Sequence, residues 1–308
     1  MRKELLPRAV CALLILLFLL YAGPKVGEGT GESFYVKSRR LQDVEYVGTI
    51  TLYHIVTCKT YQGSVTAFLQ ERAEAFSQRH FGVRITVEGM GEADFWERLS
   101  YGRRADMYSF FSGALYEELL QAADFVPGTD FRAGLSVTAY AAPWCFSGYV
   151  QTSMMGENAP IAALANGAAG TVLDLRAWGD IQRNGEAGVS AACAGTFTDQ
   201  VCYLGIERNT DAQKAKWCRM FYEFLLSEST QKMLPSLGAF SVRTDAPCPY
   251  GNGLLLDMDR AYKTVIVPDP FLYHTHRTKL QEEAEAALAG DETAKSNFFQ
   301  RLAIVIGS

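Results

Sequence analysis

The region between residues 49 and 115 constrains the fold most strongly, because strand and helix patterns alternate along it. Its first segment is β-branched and aromatic with little charge, which is typical of a strand buried on both faces. The helix patterns repeat apolar side chains at helical spacing, and the strand pattern at 83–87 alternates apolar and polar residues. This alternation predicts an α/β fold. The strand patterns cover 49–56, 83–87 and 105–111, and the helix patterns cover 64–78 and 94–99.

Length and charge narrow the class of protein. The 308 residues exceed what one hydrophobic core normally supports, so we expect two lobes. The net charge is −5 and the basic residues are scattered along the chain, which argues against a nucleic-acid partner. We therefore expect a globular protein that does not bind nucleic acid.

The sequence lacks the motifs of the common catalytic sites. It contains no Gly-x-Ser-x-Gly, no His-Glu-x-x-His and no phosphate-binding loop, since the segment 48–63 lacks the Lys-Ser/Thr ending that such a loop requires. Asp106, at the start of a predicted strand, is interpreted as a structural residue. We predict that the protein is not an enzyme and needs no cofactor.

The N-terminus has the features of a targeting segment. Basic residues precede an apolar run at 9–22, which is shorter than the ~20 residues of a full membrane span. The segment 1–22 is therefore a signal peptide or an uncleaved membrane anchor, with the basic flank on the cytoplasmic side in either case. The segment 23–47 is Gly-rich and polar, which indicates a flexible tether.

The cysteines permit more than one interpretation. Six of them lie beyond the apolar run, and an exported location would allow disulfides. Cys193 with Cys202 and Cys58 with Cys145 are candidate pairs, while buried free thiols are the favoured interpretation. No two cysteines have the short spacing of a zinc knuckle, so a cysteine-bound metal is not expected.

His274 and His276 are the obvious candidates for a metal site, with His54 as a third ligand. The two later histidines fall at the start of an expected helix, where residues two apart point in different directions. We therefore predict no metal site.

Several segments, taken in order, resemble the family 1 extracellular solute-binding proteins of bacterial ABC importers. The first strand contains Leu52-Tyr53-His54, and the third opens with Arg103-Arg104-Ala105-Asp106, without the Pro that the family often has there. The order of the segments carries this resemblance more than any single motif. The other matching segments are 201–206, 209–210, 212–226, 216–231, 237–243 and 267–270.

The resemblance implies a two-lobed, type II periplasmic-binding-protein-like fold. Each lobe is expected to be a mostly parallel sheet flanked by helices, and hinge-crossing segments join the two. Only about sixty residues lie between Tyr140 and Tyr203, so the second lobe is expected to be small. The predicted first lobe comprises 48–138 and 204–262, and the predicted second lobe comprises 139–203 and 263–308.

The resemblance and the alternation of strands and helices together suggest where a ligand would bind. In open α/β sheets the crevice lies beyond the carboxyl ends of the strands. Aromatic rings combined with hydroxyl and carboxylate groups suit sugars, whose C–H faces pack on rings while their hydroxyls need polar partners. The predicted ligand-binding residues are Tyr53, His54, Tyr61, Phe111, Ser112, Trp144, Phe197, Asp199, Phe271 and Tyr273.

The function that the resemblance implies is capture of a small solute, with a carbohydrate favoured, by hinge closure of two lobes. The expected partners are the permease subunits of an ABC importer and their ATPase, and the expected location is the periplasm or the outer face of the cell membrane. The short second lobe leaves an alternative open, a degenerate binding domain that acts as a membrane-associated sensor or scaffold without transport.

Overall fold

The computed structural model describes residues 46–125, 130–153, 158–184, 190–246, 248, 250 and 253–307. The predicted signal peptide or anchor, and the predicted tether up to residue 45, lie outside the described residues. Within the described part of the chain, no helix combines the length and apolar character needed to cross a membrane.

The strands and helices follow the predicted alternation at the start of the chain. The strands are β1 (Gly48–Val56), β2 (Val83–Gly91), β3 (Met107–Phe111), β4 (Ala141–Phe146), β5 (Tyr149–Thr152), β6 (Thr171–Asp174), β7 (Ala191–Cys193), β8 (Val201–Ile206) and β9 (Phe240–Ser241). The helices are α1 (Val65–Arg79), α2 (Glu92–Ser100), α3 (Pro160–Ala165), α4 (Leu175–Arg183), α5 (Ala212–Leu226), α6 (Glu228–Gln231), α7 (Leu254–Ala261), α8 (Pro270–Leu288) and α9 (Glu292–Ile306). Short 3₁₀ turns cover Glu117–Leu119 and Leu234–Ser236.

Residues 46–48 and 79–83 cluster apart from the rest of the described chain. In this small unit the backbone N–H of Gly48 donates to the carbonyl of Gly82 at 3.0 Å.

The larger sheet has six strands in the order β2-β1-β3-β8-β4-β9. β1 and β3 pair in parallel, but β8 is antiparallel to both β3 and β4, and β9 is antiparallel to β4. The prediction of a mostly parallel sheet is therefore wrong beyond β3. The physical reason is that β8 carries the chain back towards the sheet from the opposite end, so it must run against its neighbours.

The chain crosses between the two sheets three times. It leaves the larger sheet after β4, returns at β8, and leaves again after α7. At the third crossing, Val265 N–H donates to the carbonyl of Ala133 at 2.8 Å, and Thr198 N–H donates to the carbonyl of Ile266 at 2.9 Å. Gly134 has a φ of +92°, and a Cβ there would lie 1.8 Å from the carbonyl oxygen of Val265. Only glycine permits this close approach of the backbones.

The smaller sheet has three antiparallel strands in the order β6-β5-β7. The prediction of a parallel sheet is wrong here as well, because β5 runs antiparallel to both of its neighbours. β4 and β8 both belong to the larger sheet, so the smaller sheet begins at Tyr149. The exact lobe boundaries stay a prediction.

Helices α3, α8 and α9 share a core with the smaller sheet. Apolar residues on one face of α8 and one face of α9 are buried there at helical spacing. An ion pair between Arg301 and Glu283 joins the same two helices at 2.8 Å. The buried helix residues are Tyr273, Leu280 and Ala284 on α8, and Phe298, Leu302 and Val305 on α9.

Asp106 has the structural role expected of it. One carboxylate oxygen accepts a hydrogen bond from Thr51 N–H at 2.8 Å, which ties the start of β3 to β1. The other accepts from the ammonium of Lys214 on α5, also at 2.8 Å. This prediction is confirmed.

Trp144 lies in the core of the larger sheet, which corrects its predicted place at the cleft. Its side chain is fully buried, and its ring stacks on Phe68 of α1 with centroids 5.9 Å apart. All six residues of β4 are buried, so the strand offers no alternation from which the direction of this ring could be predicted. The pairing of β4 with β8 also shifts register between Pro143 and Cys145, next to this residue.

Because of this burial, we expect Trp144→Ala to lower the free energy of unfolding by about 3–5 kcal/mol, as for other large-to-small core substitutions. Urea unfolding would measure the loss. The control Tyr101→Ala changes a side chain that is 74% exposed and should stay within about 0.5 kcal/mol of wild type. A loss below about 1 kcal/mol for Trp144→Ala would mean that the residue is not a core residue.

Candidate functional site

The strand directions bring several strand ends to one edge of the larger sheet. β4 runs in the same direction as β1 and β3, because both β3 and β4 are antiparallel to β8. The carboxyl ends of β1, β3 and β4 therefore lie at the edge where β8 begins. Backbone hydrogen bonds continue there from Ser112 N–H to Val201 O at 3.0 Å and from Ser147 N–H to Gln200 O at 2.9 Å. In sheets of this kind, ligands bind at this edge.

Asp199 lies at this edge, just before β8, and two tyrosines hold its carboxylate. The hydroxyl of Tyr149 donates to one oxygen at 2.5 Å, and the hydroxyl of Tyr273 donates to the other. Burial and then the charge of Asp199 raise the pKa of both phenols. The phenols therefore stay protonated and act as donors, and charge-assisted hydrogen bonds of this kind are among the stronger ones.

A pocket of about 370 Å³ opens beside this triad of Asp199, Tyr149 and Tyr273. One wall is the start of α3, which is apolar. The other wall is α8, where Tyr273, Arg277 and Gln281 recur every four residues and so lie on one face. Thr278 and Glu282 add a hydroxyl and a second carboxylate to that wall. The pocket thus combines an apolar side with several hydrogen-bonding groups, as ligand sites do.

An aromatic cluster lies next to this pocket. The rings of Trp96 on α2 and Tyr116 lie 5.4 Å apart, and His274 on α8 approaches Tyr116 with centroids 3.9 Å apart. An ion pair of 3.4 Å between Arg277 and Glu92 joins α8 to α2. Because Glu92 and Trp96 are one helical turn apart, Arg277 connects the pocket to the aromatic cluster.

His54 on β1 and Phe111 on β3 are buried inside the larger sheet and are not exposed at its edge. His54 is 1% exposed, and its Nδ1 lies 3.1 Å from the hydroxyl oxygen of Ser109. Its Nε2 has no hydrogen-bond partner among the described residues. Burial lowers the pKa of His54 to about 4, so the ring is neutral at pH 7. Phe111 is buried against it, with ring centroids 6.0 Å apart.

Four other predicted ligand residues are buried in the surrounding cores. Tyr53 lies under the guanidinium of Arg98, 5.6 Å from the ring centroid, and Phe271 packs on Phe110 at 6.1 Å. Phe197 belongs to the core of the smaller sheet, and Ser112 is 5% exposed at the end of β3. Their side chains stabilise the hydrophobic cores around the pocket. A direct contact between any of them and a ligand stays a prediction.

Tyr61 connects the loop after β1 to helix α4. Its hydroxyl donates to the side-chain oxygen of Gln182 at 2.5 Å, and its carbonyl accepts from Arg183 at 3.3 Å. A Cβ at Gly179 would lie 3.0 Å from its ring, and one at Gly238 would lie 2.5 Å from its Cβ. The ring therefore occupies a slot between two glycines, and this contact joins the regions of the two sheets.

Of the ten predicted residues, the structure brings Asp199 and Tyr273 together at the pocket. Tyr149, Trp96 and Arg277 also lie at or beside the pocket, and they were not among the predicted residues. The four-residue spacing of Tyr273, Arg277 and Gln281 on α8 is a signal that could have identified part of the wall. No comparable signal marks Tyr149, which lies fifty residues from its partner.

The described cysteines are not paired with one another, and His274 and His276 make separate contacts. All six described cysteines are free thiols, and Cys193 lies in the smaller sheet while Cys202 lies in the larger, so these two are not paired. His274 donates from Nδ1 to the carbonyl of Gly113 at 2.6 Å, whereas Nδ1 of His276 accepts from Arg301 at 3.4 Å. In the described residues, no group of three potential ligands could hold a metal ion.

Comparisons with known proteins identify the fold. No family model and no curated protein matches the sequence. The cyclic alpha-maltosyl-1,6-maltose binding protein from Arthrobacter globiformis aligns at 12% identity over 84% of this chain and 99% of its own, with a TM-score of 0.59. The GacH receptor of Streptomyces glaucescens, solved unliganded and with acarbose, aligns at 13% identity over 86% and 100%, with a TM-score of 0.55. The MalE domain of Bdellovibrio bacteriovorus, bound to maltotriose, aligns at 11% identity over 84% and 99%, with a TM-score of 0.55.

The chain therefore has the two-lobed, periplasmic-binding-protein-like α/β fold. The prediction of this fold class is confirmed.

The neutral state of His54 predicts that acid destabilises the protein. Its pKa is about 4 in the folded chain, against 6.5 when unfolded, so between these pH values the unfolded chain binds more protons. The stability that is present above pH 6.5 is lost as the pH falls towards 4, by about 3 kcal/mol at most. We expect His54→Gln to show a flatter dependence of unfolding free energy on pH between 7 and about 4.5. An unchanged slope would contradict the role of His54.

Proposed function

We propose that this chain is the extracytoplasmic solute-binding protein of an ABC importer and that it captures a small carbohydrate beside Asp199. The observation that carries the proposal is the carboxylate of Asp199, which two buried phenols hold at the strand edge facing the pocket. The sugar ligands of the structural neighbours support the same class of solute.

The chemistry of the pocket favours a polyol over an anion or an apolar ligand. A sugar needs both donors and acceptors for its hydroxyls, and an apolar surface for its C–H faces. Arg277 and Gln281 donate, Asp199 and Glu282 accept, and the start of α3 is apolar. A simple anion would not suit a wall with two carboxylates.

The proposed mechanism is a hinge closure around the ligand. Three crossing segments connect the regions of the two sheets, so a bend in a few backbone angles there can move one region against the other. Tyr61 with Gln182, and Arg277 with Glu92, are contacts that lobe separation would break. A ligand that contacts both sides shifts the equilibrium towards the closed form.

The partners that follow from this function are the permease subunits and their ATPase, which would recognise the closed form. The location would be extracytoplasmic, with residues 9–22 acting as a cleaved signal or as an anchor. The chain would carry out no chemical reaction on the solute and would need no cofactor.

A thermal-shift screen tests the proposal. The protein would be heated with mono- and oligosaccharides, amino acids, peptides, polyamines and divalent metals. A ligand at 100 times its dissociation constant adds about 2.7 kcal/mol to the free energy of unfolding. We expect a carbohydrate to raise the melting temperature. If no compound shifts the melting temperature of a folded sample, the non-transporting sensor or scaffold is favoured.

We expect Asp199→Asn to weaken binding of the sugar found in this screen by about 10–100-fold, because a hydrogen bond to a charged group contributes about 1.5–3 kcal/mol. Isothermal titration would measure the change. The control Asp180→Asn alters an exposed carboxylate that pairs with Arg176 and Arg183 on α4, and it should bind as wild type does. If the two variants bind the sugar with equal affinity, Asp199 is not part of the binding site.

We expect Trp96→Ala to weaken binding of oligosaccharides by about 2–10-fold, the range of one aromatic contact. Monosaccharide binding should change little, because the aromatic cluster lies beside the pocket and not within it. Tyr101→Ala, at the end of the same helix, serves as the control. Titration with sugars of increasing length would separate the two effects, and a loss that is the same for every length would contradict this role.

A further inference from the structure

Two cysteines face each other across the strands that carry the chain between the two sheets. Cys145 near the end of β4 and Cys202 near the start of β8 are direct partners in the antiparallel ladder. They are 1% and 0% exposed. No step of the proposed sugar binding uses either thiol.

The geometry of this pair suits a disulfide. In a regular antiparallel ladder, directly opposed residues have Cα atoms about 4.5–5.5 Å apart and side chains on the same face, and Cys145 with Cys202 is the first pair after the register shift in β4. Disulfides span Cα separations of about 4.4–6.8 Å, which includes this range. Burial and then a hydrogen bond with the thiol of Cys202 raise the pKa of the Cys145 thiol, and the sulfur of Cys202 also lies 3.4 Å from the hydroxyl oxygen of Ser109.

The other described cysteines are placed less favourably. Cys218 lies on α5, Cys248 is exposed, and the thiol of Cys193 donates to the carbonyl of Gly195 at 3.2 Å in the smaller sheet. Cys58 lies in the loop after β1, close enough to Cys202 that a thiolate there would raise its pKa, but it is not the ladder partner of Cys202. Among the described residues, Cys145 and Cys202 are therefore the best-placed pair, and Cys58 is the competitor.

We propose that Cys145 and Cys202, which are free thiols in this structure, become oxidised to an intramolecular disulfide that joins the two crossing strands β4 and β8. Two thiols lose two protons and two electrons, one S–S bond forms, and a disulfide-bearing oxidant is reduced to two thiols. Because both sulfurs are buried in the folded chain, the exchange takes place during folding, before the strands are covered. In the cell this inference rests on the extracytoplasmic location given under Proposed function, since thiols stay reduced in the cytosol.

The consequence of this bond concerns the hinge. The disulfide would lie beside the hydrogen bond from Ser147 to Gln200, where the two strands leave the larger sheet. It would hold β4 and β8 together as one unit, so bending would be confined to the residues on the side of the smaller sheet. It would also close a chain loop that contains all three strands of that sheet, which lowers the entropy of the unfolded chain.

Peptide mapping tests the proposal. The full chain would be refolded in a mixture of reduced and oxidised glutathione, and a second sample would be refolded in dithiothreitol. Both would be alkylated after denaturation and digested without reduction. We expect a peptide that links Cys145 to Cys202 in the first sample alone. Alkylated free thiols at both positions of a folded, glutathione-treated sample, or a Cys58–Cys202 link instead, would overturn the proposal.

A stability measurement gives a second test. We expect the melting temperature of the glutathione-refolded protein to exceed that of the reduced protein by roughly 5–10 °C. Cys145→Ala combined with Cys202→Ala should abolish this difference, whereas the control Cys193→Ala should keep it. A difference that persists in the double variant would assign the effect to other thiols. Neither test uses a sugar, so failure of the sugar-binding proposal would leave this result interpretable.

Discussion

The arrangement of this protein depends on the antiparallel placement of β8 between β3 and β4. Backbone hydrogen bonds on both sides fix this strand, and every residue in it is buried. Its direction forces the chain to enter the larger sheet at the edge where β1, β3 and β4 end. The residues just before it, Asp199 among them, are therefore held at that edge by the ladder itself. A parallel strand in the same place would have put this segment at the opposite end of the sheet.

A partly buried carboxylate at such an edge loses part of its hydration, and hydrogen bonds have to replace it. The side chains that supply these hydrogen bonds are the ones that form the site. Taking a charge out of water costs several kcal/mol unless hydrogen bonds replace its hydration. Tyr149 and Tyr273 supply these bonds from β5 and from α8, two elements that are far apart in sequence. The hydrogen bonds thus tie the crossing segment to the smaller sheet and to the helix that forms the pocket wall. The same two hydrogen bonds therefore position the charge of Asp199 and hold the pocket wall in place.

The sequence predicted the order of elements well and the orientation of side chains poorly. Up to β3 the helices have clear apolar periodicity and β1 is a run of β-branched and aromatic residues, and Asp106 sits at a strand start, where its side chain ties β3 to β1. β4 is buried along its whole length, so no period shows that Trp144 points into the core. The triad around Asp199 depends on long-range contacts, which periodicity does not encode. The antiparallel pairing of β8 was missed because it follows from the path of the chain between the sheets and not from local composition.

The slot that holds Tyr61 has a consequence for the kinetics of ligand exchange. A Cβ at Gly179 would lie 3.0 Å from Cδ2 of the Tyr61 ring, and a Cβ at Gly238 would lie 2.8 Å from Cδ1 on the opposite edge, so the ring fits only while both positions are glycine. In a protein that opens by a hinge, the ring would have to withdraw before the regions separate. Withdrawal of the ring would then add to the barrier between the two arrangements, which slows opening and closing alike and leaves their equilibrium unchanged. A methyl group at position 179 would press against the Tyr61 ring and favour separation of the two regions.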